Sequence, residues 1–138
     1  MIPDPRRPRV RPRDERGQAV SSFVAVVLVA LFGVTGLVVD GGARSAARTE
    51  AESVAAQAAR AAVDAGARSR AAGRTLDTAA VRAAGQEVLA DRGIVGSVVI
   101  EVGAVHVETS RTVPTVFLSL VGIRSLSASG DATAVLED

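Results

Sequence analysis

The sequence lacks cysteine, tryptophan, tyrosine and lysine, and its 138 residues include three phenylalanines and one histidine. Without cysteine there is neither a disulfide framework nor a thiolate metal site. So few aromatic residues leave no platform on which nucleic-acid bases could stack. The sequence has no phosphate-binding loop with its lysine and no Gly-x-Ser-x-Gly nucleophile motif. We therefore predict a protein that is not an enzyme, with no catalytic residue, cofactor or metal site.

The one residue that suggests site chemistry is His106, with Glu101 and Glu108 near it across a predicted hairpin. A metal site or an acid–base pair could be drawn from these three side chains. A single histidine with neither cysteine nor a second histidine gives zinc too few good ligands. We predict that His106 is an ordinary exposed side chain of a strand.

Charge is distributed unevenly along the chain, although the net charge is only +1. Residues 1–18 form an arm with six arginines against three acidic residues, and four of the five prolines lie there. Prolines at this density prevent a helix. A basic run can bind nucleic-acid phosphate, but one that directly precedes an apolar segment is better explained as a topology signal and a contact for anionic lipid. We predict no nucleic-acid partner.

The apolar segment, residues 19–39, contains 21 residues without a charge. As a helix it would be about 31 Å long, which matches a hydrocarbon core of about 30 Å. The alternatives are a buried core helix and a cleaved secretory signal. The 99 residues that follow are too rich in alanine and too polar to enclose such a helix. A signal usually has an apolar stretch of about 7–15 residues, and the Asp-Gly-Gly-Ala-Arg that follows Val39 is not a convincing small-x-small cleavage site. We predict a single membrane span in the lipid bilayer, with the arm in the cytoplasm and residues 40–138 outside it.

The predicted outer domain is α+β. Strong helix formers and an apolar stripe at three- and four-residue spacing predict an alanine-rich helix over about 43–65. We expect it to continue the membrane helix, with Asp40, Gly41 and Gly42 as a helix exit or bend. A connector over Arg68–Arg74 and a second helix over about 78–92 are predicted. Thr75 or Asp77 could cap the start of this helix, and Gly93 fits its end. Its apolar side would consist of Leu76, Ala80, Ala83, Ala84, Val88 and Leu89. Period-two alternation predicts a small antiparallel sheet with three strands, over about 97–102, 105–111 and 125–135.

The apolar stretch at 116–121 is too short to cross a bilayer, so it is either a short helix in the core or one that lies on the membrane surface. A seam of mostly small residues is predicted along the membrane helix, where a partner helix could approach closely. Because alanine and glycine are abundant throughout, composition alone could also produce it. Homo- or hetero-oligomers could form through this span and through the alanine-rich helix. The seam consists of Ser22, Ala25, Val29, Gly33 and Gly36.

Several segments together resemble the TadE/TadG-like proteins of the Tad (Flp) pilus-assembly system. They are Arg16-Gly17 with Phe23 in the apolar segment, the exit from Leu37 to Arg44, the alanine-rich helix that ends in Asp64-Ala65-Gly66, and the tail with residues 114–117 and 127–134. The resemblance implies a pilin-like architecture and an accessory or pseudopilin-like role in the bacterial cytoplasmic membrane. It also implies other pilus-assembly membrane proteins as partners.

Processed members of that family resemble prepilins, which are cut after a glycine and have a glutamate five residues beyond it. If Gly17 preceded the cut, Ser22 would stand where glutamate is expected and Phe23 at the aromatic position. Serine cannot neutralise a neighbouring amino terminus as that glutamate would. This departure favours an uncleaved, TadG-like role. Two other functions stay open: a membrane-anchored binding or regulatory module unrelated to pili, and a secreted protein released by signal cleavage.

Overall fold

The computed structural model describes residues 15–136 of the chain, with side chains from Gly17 onward. Residues 1–14 of the predicted basic arm lie outside this range. The chain divides after Thr35 into two units, and the first helix contributes to both. In chain order the described elements are α1 (Glu15–Ala71), α2 (Thr78–Asp91), β1 (Val95–Glu101), β2 (Ala104–Pro114), a 3-10 turn (Leu118–Val121) and β3 (Ser125–Val135). This composition confirms the α+β prediction.

In the first unit, every side chain from Gly17 to Thr35 is exposed. Two of its polar side chains bond within the helix: the hydroxyls of Ser21 and Thr35 each donate a hydrogen bond of 2.9 Å to the carbonyl oxygen four residues earlier. Within residues 15–136, α1 is the one helix that is long and apolar enough to cross a membrane.

The second unit contains an antiparallel sheet in the order β1-β2-β3. Val98 pairs with Val107, and Thr109 pairs with Gly130. The inward side chains of β2 are Val105, Val107 and Thr109, and all three are buried. Because successive side chains of a strand point to opposite faces, the alternation in the sequence correctly predicts which face is covered.

The core lies between this sheet, α2 and the second half of α1. Most of the predicted stripe of α1 is buried, together with Ala55 and Ala59 beside it, whereas Ala43 is exposed and Ala65 half-buried. The buried members of the stripe are Ala47, Ala51, Val54, Ala58 and Ala62. The stripe is thus covered by the chain's own α2 and sheet, so it is not free for a partner helix as the sequence suggested. Its small side chains serve an internal contact instead. The buried cluster comprises Val54, Ala55, Ala58, Ala59, Ala62, Val81, Leu89, Ile94, Val98, Val105, Val107 and Leu136.

Helix α1 and the sheet approach each other very closely at Gly130 of β3. A Cβ atom on Gly130 would overlap the backbone of Ala51 and Glu52 and would lie 2.6 Å from the Glu52 Cα. Beside it, the buried Thr109 hydroxyl lies 2.9 Å from the Ala51 carbonyl oxygen and 3.1 Å from the Gly130 carbonyl oxygen. A side chain larger than hydrogen therefore cannot occupy position 130 without separating α1 from the sheet.

Helix α1 extends past the predicted end near residue 65. Gly66 is buried inside it, because a Cβ there would meet side chains of Leu76 and Leu136 at 3.0 and 3.1 Å. The helix ends at Ala71, and Gly73 adopts a left-handed conformation (φ +69°) just beyond it. The Ala-Gly dipeptide is thus an internal packing site, and the predicted connector from Arg68 begins too early.

Helix α2 begins and ends close to the predicted positions. The Asp77 carboxylate accepts hydrogen bonds from the Ala79 and Ala80 amides, and Gly93 follows the helix with φ +62°. The buried face, however, is Val81, Gly85 and Leu89, whereas the sequence pattern placed Ala80 and Ala83 inward. Gly85 lies inward because β1 approaches closely there: a Cβ would be 3.0 Å from Val98 Cγ2.

Candidate functional site

The carboxylate of Asp40, one residue beyond the apolar segment, makes the most unusual polar contacts in the described residues. Asp40 is 2% exposed. Its Oδ1 accepts a hydrogen bond from the Val116 amide (2.8 Å), and its Oδ2 accepts from the amides of Phe117 (3.0 Å) and Leu118 (2.7 Å). We call these three bonds the Asp40 clasp. They attach α1 to the β2–β3 loop, residues 115–124, across 76 to 78 positions of sequence.

The clasp favours an ionised carboxylate. Burial alone raises the pKa of Asp40, but the three amide donors stabilise the charged form, and the net effect is a pKa below the usual 3.8. Asp40 follows the predicted span rather than lying within it. The charge is therefore retained at neutral pH and is satisfied by backbone donors alone.

Two further contacts hold the same region of α1 to the end of the sheet. Gly36, one turn before Asp40, is buried against Phe117, and a Cβ on Gly36 would lie 2.6 Å from Phe117 Cβ. One turn after Asp40, the Arg44 Nε donates a hydrogen bond of 3.2 Å to the Ser127 carbonyl oxygen. These three residues are spaced four apart, so they share one face of the helix.

Four amides of the β2–β3 loop bond to carbonyl oxygens of the same loop, and most of its apolar side chains are exposed. The amides of Leu120, Gly122 and Ile123 donate to carbonyl oxygens of residues 117–119, and the Thr115 amide donates to Arg124 O. Thr115 Oγ1 also donates to the Ile123 carbonyl oxygen. The exposed apolar side chains are Val116, Leu120, Val121 and Ile123, with Leu120 and Val121 84% and 75% exposed. The first of the two interpretations of this stretch, a helix in the core, is therefore wrong.

The processing-motif candidates lie at the start of α1. The helix includes Arg16, Gly17, Ser22 and Phe23 from its first turns onward, and the last three are exposed. Nothing in their geometry tests cleavage. The uncleaved role therefore stays a prediction.

The helix-packing seam divides into two parts. Its first four members, Ser22, Ala25, Val29 and Gly33, are exposed in the first unit, and a Cβ on Gly33 would meet nothing within 4 Å. Gly36 belongs to the second unit, and Phe117 of the same chain covers it. Gly36 is thus removed from the seam that a partner helix could use.

The predicted exit or bend at Asp40, Gly41 and Gly42 does not end the helix: α1 continues through all three residues, as the predicted continuation of the membrane helix requires. The two glycines are exposed, and a Cβ on either would meet nothing within 4 Å. The prediction of a bend at this point is untested. What sets Asp40 apart is its hydrogen bonding to the β2–β3 loop.

The side chain of His106 is engaged with its neighbours on the sheet. Its Nδ1 lies 2.8 Å from Thr133 Oγ1, and its Nε2 lies 3.5 Å from Glu108 Oε1. Within the part of the chain that the structure describes, no group of three or more histidine and acidic side chains could hold a metal ion.

Sequence reasoning missed both partners of this site, Asp40 as an acceptor and Phe117 as its neighbour. A signal was present in each case. Asp40 is the first charge after the uncharged residues 17–39, and Phe117 is one of three phenylalanines. Neither signal indicates that the two residues meet, because they lie far apart in the chain.

Comparison with known proteins does not extend this description. No family model, curated protein or solved structure matches this chain. The TadE/TadG-like resemblance therefore rests on the motifs of the sequence, and function must be argued from the chain's own geometry.

Proposed function

We propose that this chain is a membrane-anchored accessory or pseudopilin-like component of a Tad/Flp-type pilus-assembly system, with residues 19–39 in the bacterial cytoplasmic membrane. The observation that carries the proposal is the division of α1. Its first part exposes an uncharged apolar surface, and its second part is buried in an α+β domain. The resemblance of the segments around Arg16-Gly17 and Leu37–Arg44 supplies the pilus context.

The clasp supports retention of the anchor rather than release by a signal peptidase. Gly36 and Asp40 lie at the end of the apolar segment, yet both are buried against the β2–β3 loop. A cut in this region would remove or fray residues that belong to the folded domain. In the arrangement we propose, the basic arm is cytoplasmic and residues 40–138 are extracytoplasmic.

Deletion of the gene tests the pilus assignment. We expect the deletion strain to lose surface pili in electron micrographs and the wild-type gene to restore them. Adjacent genes for a secretion ATPase and two polytopic membrane proteins would agree with this role. A deletion strain with normal pili would contradict it and would favour a membrane-anchored binding or regulatory module.

The exposed seam provides a variant that acts on partner contact alone. Gly33→Leu preserves hydrophobicity but fills the position where a partner helix could approach, so we expect it to fail to restore pili or to lose cross-links to its membrane partner. Leu31→Phe, a bulky change at another exposed position of the helix, is the matched control and should behave as wild type. Equal behaviour of the two variants would mean that the span is only an anchor. Gly36→Leu is unsuitable because it would displace Phe117.

A further inference from the structure

The Asp40 clasp determines which part of α1 the β2–β3 loop covers. Phe117 packs on Gly36, which lies four residues before Asp40. Along the helix axis Gly36 is therefore about 6 Å further from the end of the apolar segment at which Asp40 lies. Gly36 is itself part of that segment, so Phe117 of the loop lies against its last turn. The side chains of this turn that point elsewhere, Leu37 and Val38, are each 68% exposed.

The loop presents an apolar surface beside this turn. No charged residue occurs from Thr115 to Ile123, and Val116, Leu120, Val121 and Ile123 are all exposed. The 3-10 turn contributes nothing to the buried core. Exposed apolar residues concentrated in one short loop indicate an interaction surface. Residues 37–39 of α1, next to the contact between Gly36 and Phe117, are also apolar and exposed.

The backbone of the loop is suited to an environment with little water. An unsatisfied amide costs several kcal/mol in an apolar medium. Here the amides of residues 116–118 donate to Asp40, and those of Thr115, Leu120, Gly122 and Ile123 donate to carbonyl oxygens within the loop. The loop can therefore leave water without exposing these donors.

The charges that flank this surface are positive. Arg124 ends the loop and is exposed. Arg44 is bound to the Ser127 carbonyl oxygen at the start of β3. The acidic group beside the loop, Asp40, is buried in the clasp. Arginines above an apolar surface favour contact with the phosphates of lipid headgroups.

We propose that the β2–β3 loop inserts its apolar side chains into the headgroup–acyl boundary of the bilayer, at the leaflet where the span ends. The displacement of about 6 Å from Asp40 to Gly36 agrees with the depth of about 5–10 Å that is typical of interfacial segments. The Asp40 clasp holds the loop at this depth. The proposal rests on the membrane span of the proposed function but not on its pilus context.

Fluorescence quenching at single cysteines tests this insertion, because the natural chain contains no cysteine. The full chain, labelled with an NBD maleimide, is reconstituted into phosphatidylcholine–phosphatidylglycerol vesicles whose lipids carry nitroxides either near the headgroup or deep in the acyl chain. Three variants are compared: Val121→Cys in the loop, Val102→Cys at the β1–β2 turn, and Leu28→Cys in the middle of the span. Val102 is the matched control, since it is a fully exposed valine at the other end of β2.

The label at position 121 should show blue-shifted emission and be quenched more by the shallow nitroxide than by the deep one. The label at 102 should be quenched by neither, and the label at 28 most by the deep nitroxide. Quenching at 28 but not at 121 would overturn the loop insertion and leave the span intact. A blue shift at 121 without quenching would then come from contact with a second copy or another protein and not from lipid. Quenching at neither position would overturn both.

Discussion

Replacing Gly130 with alanine should strongly destabilise the outer domain. The new Cβ would overlap the backbone of Ala51 and Glu52, and backbone atoms cannot turn aside as a side chain can. Helix α1 and β3 must then separate, which weakens the Thr109 bond to Ala51 and loosens the alanine contacts around it. Overpacking of this kind costs up to about 3 kcal/mol. For a domain of this size, we expect the melting temperature to fall by more than about 10 °C.

The control for this variant is the same substitution at Gly42, an exposed position of α1 where a Cβ would meet nothing within 4 Å. Alanine favours a helix over glycine by about 1 kcal/mol, so Gly42→Ala should leave the melting temperature unchanged or raise it. Both melting temperatures are measured by circular dichroism during thermal unfolding of the full chain, with every variant in nanodiscs of one lipid composition. Equal melting temperatures for the two variants would mean that the helix and sheet do not meet at Gly130.

The second large effect is expected from Asp40→Asn. The amide side chain keeps the shape of aspartate but turns an NH2 group toward backbone N–H donors, so at least one amide of the loop loses its acceptor. We expect hydrogen exchange at the amides of Val116, Phe117 and Leu118 to accelerate by at least about tenfold. Asp64→Asn, at an exposed position of the same helix, is the matched control and should leave this exchange unchanged.

The clasp also has a defined pH dependence. Because the pKa of Asp40 is lower in the folded chain than its usual 3.8, ionisation stabilises the fold above the usual value, and this contribution is lost as the pH falls through the lower folded pKa. Protection of the 116–118 amides, corrected for the intrinsic rate of exchange, should therefore be constant from about pH 7 to about pH 5 and decrease only below the usual value. Loss of protection within that neutral to mildly acidic range would show that another group controls the loop.

Local patterns in the sequence predicted the parts of the fold that depend on neighbouring residues. The alternation of Val105, Val107 and Thr109 identified the covered face of β2, because the pleat fixes where each side chain points. Asp77 and Gly93 marked the ends of α2, because caps act within one turn of a helix. The α+β class follows from these elements.

The features that sequence reasoning missed depend on contacts between distant segments. Locally, Gly66 is typical of a helix end, but Leu76 and Leu136 occupy the space that a side chain at position 66 would fill. Gly85 reads as a weak helix residue, yet Val98 of β1 packs on it. The Asp40 clasp is the extreme case, since its donors are backbone amides, which every residue except proline carries and no residue type can reveal.

In the topology that we propose, residues 19–39 cross the membrane and the α+β domain lies outside the cytoplasm. The most direct measurement is labelling of single cysteines by a membrane-impermeant maleimide in spheroplasts, before and after permeabilisation. We predict immediate labelling of Val102→Cys, labelling of Arg9→Cys only after permeabilisation, and no labelling of Leu28→Cys in either state. Labelling of Leu28→Cys in intact spheroplasts, or protection of Val102→Cys while Arg9→Cys is labelled, would rule out this topology.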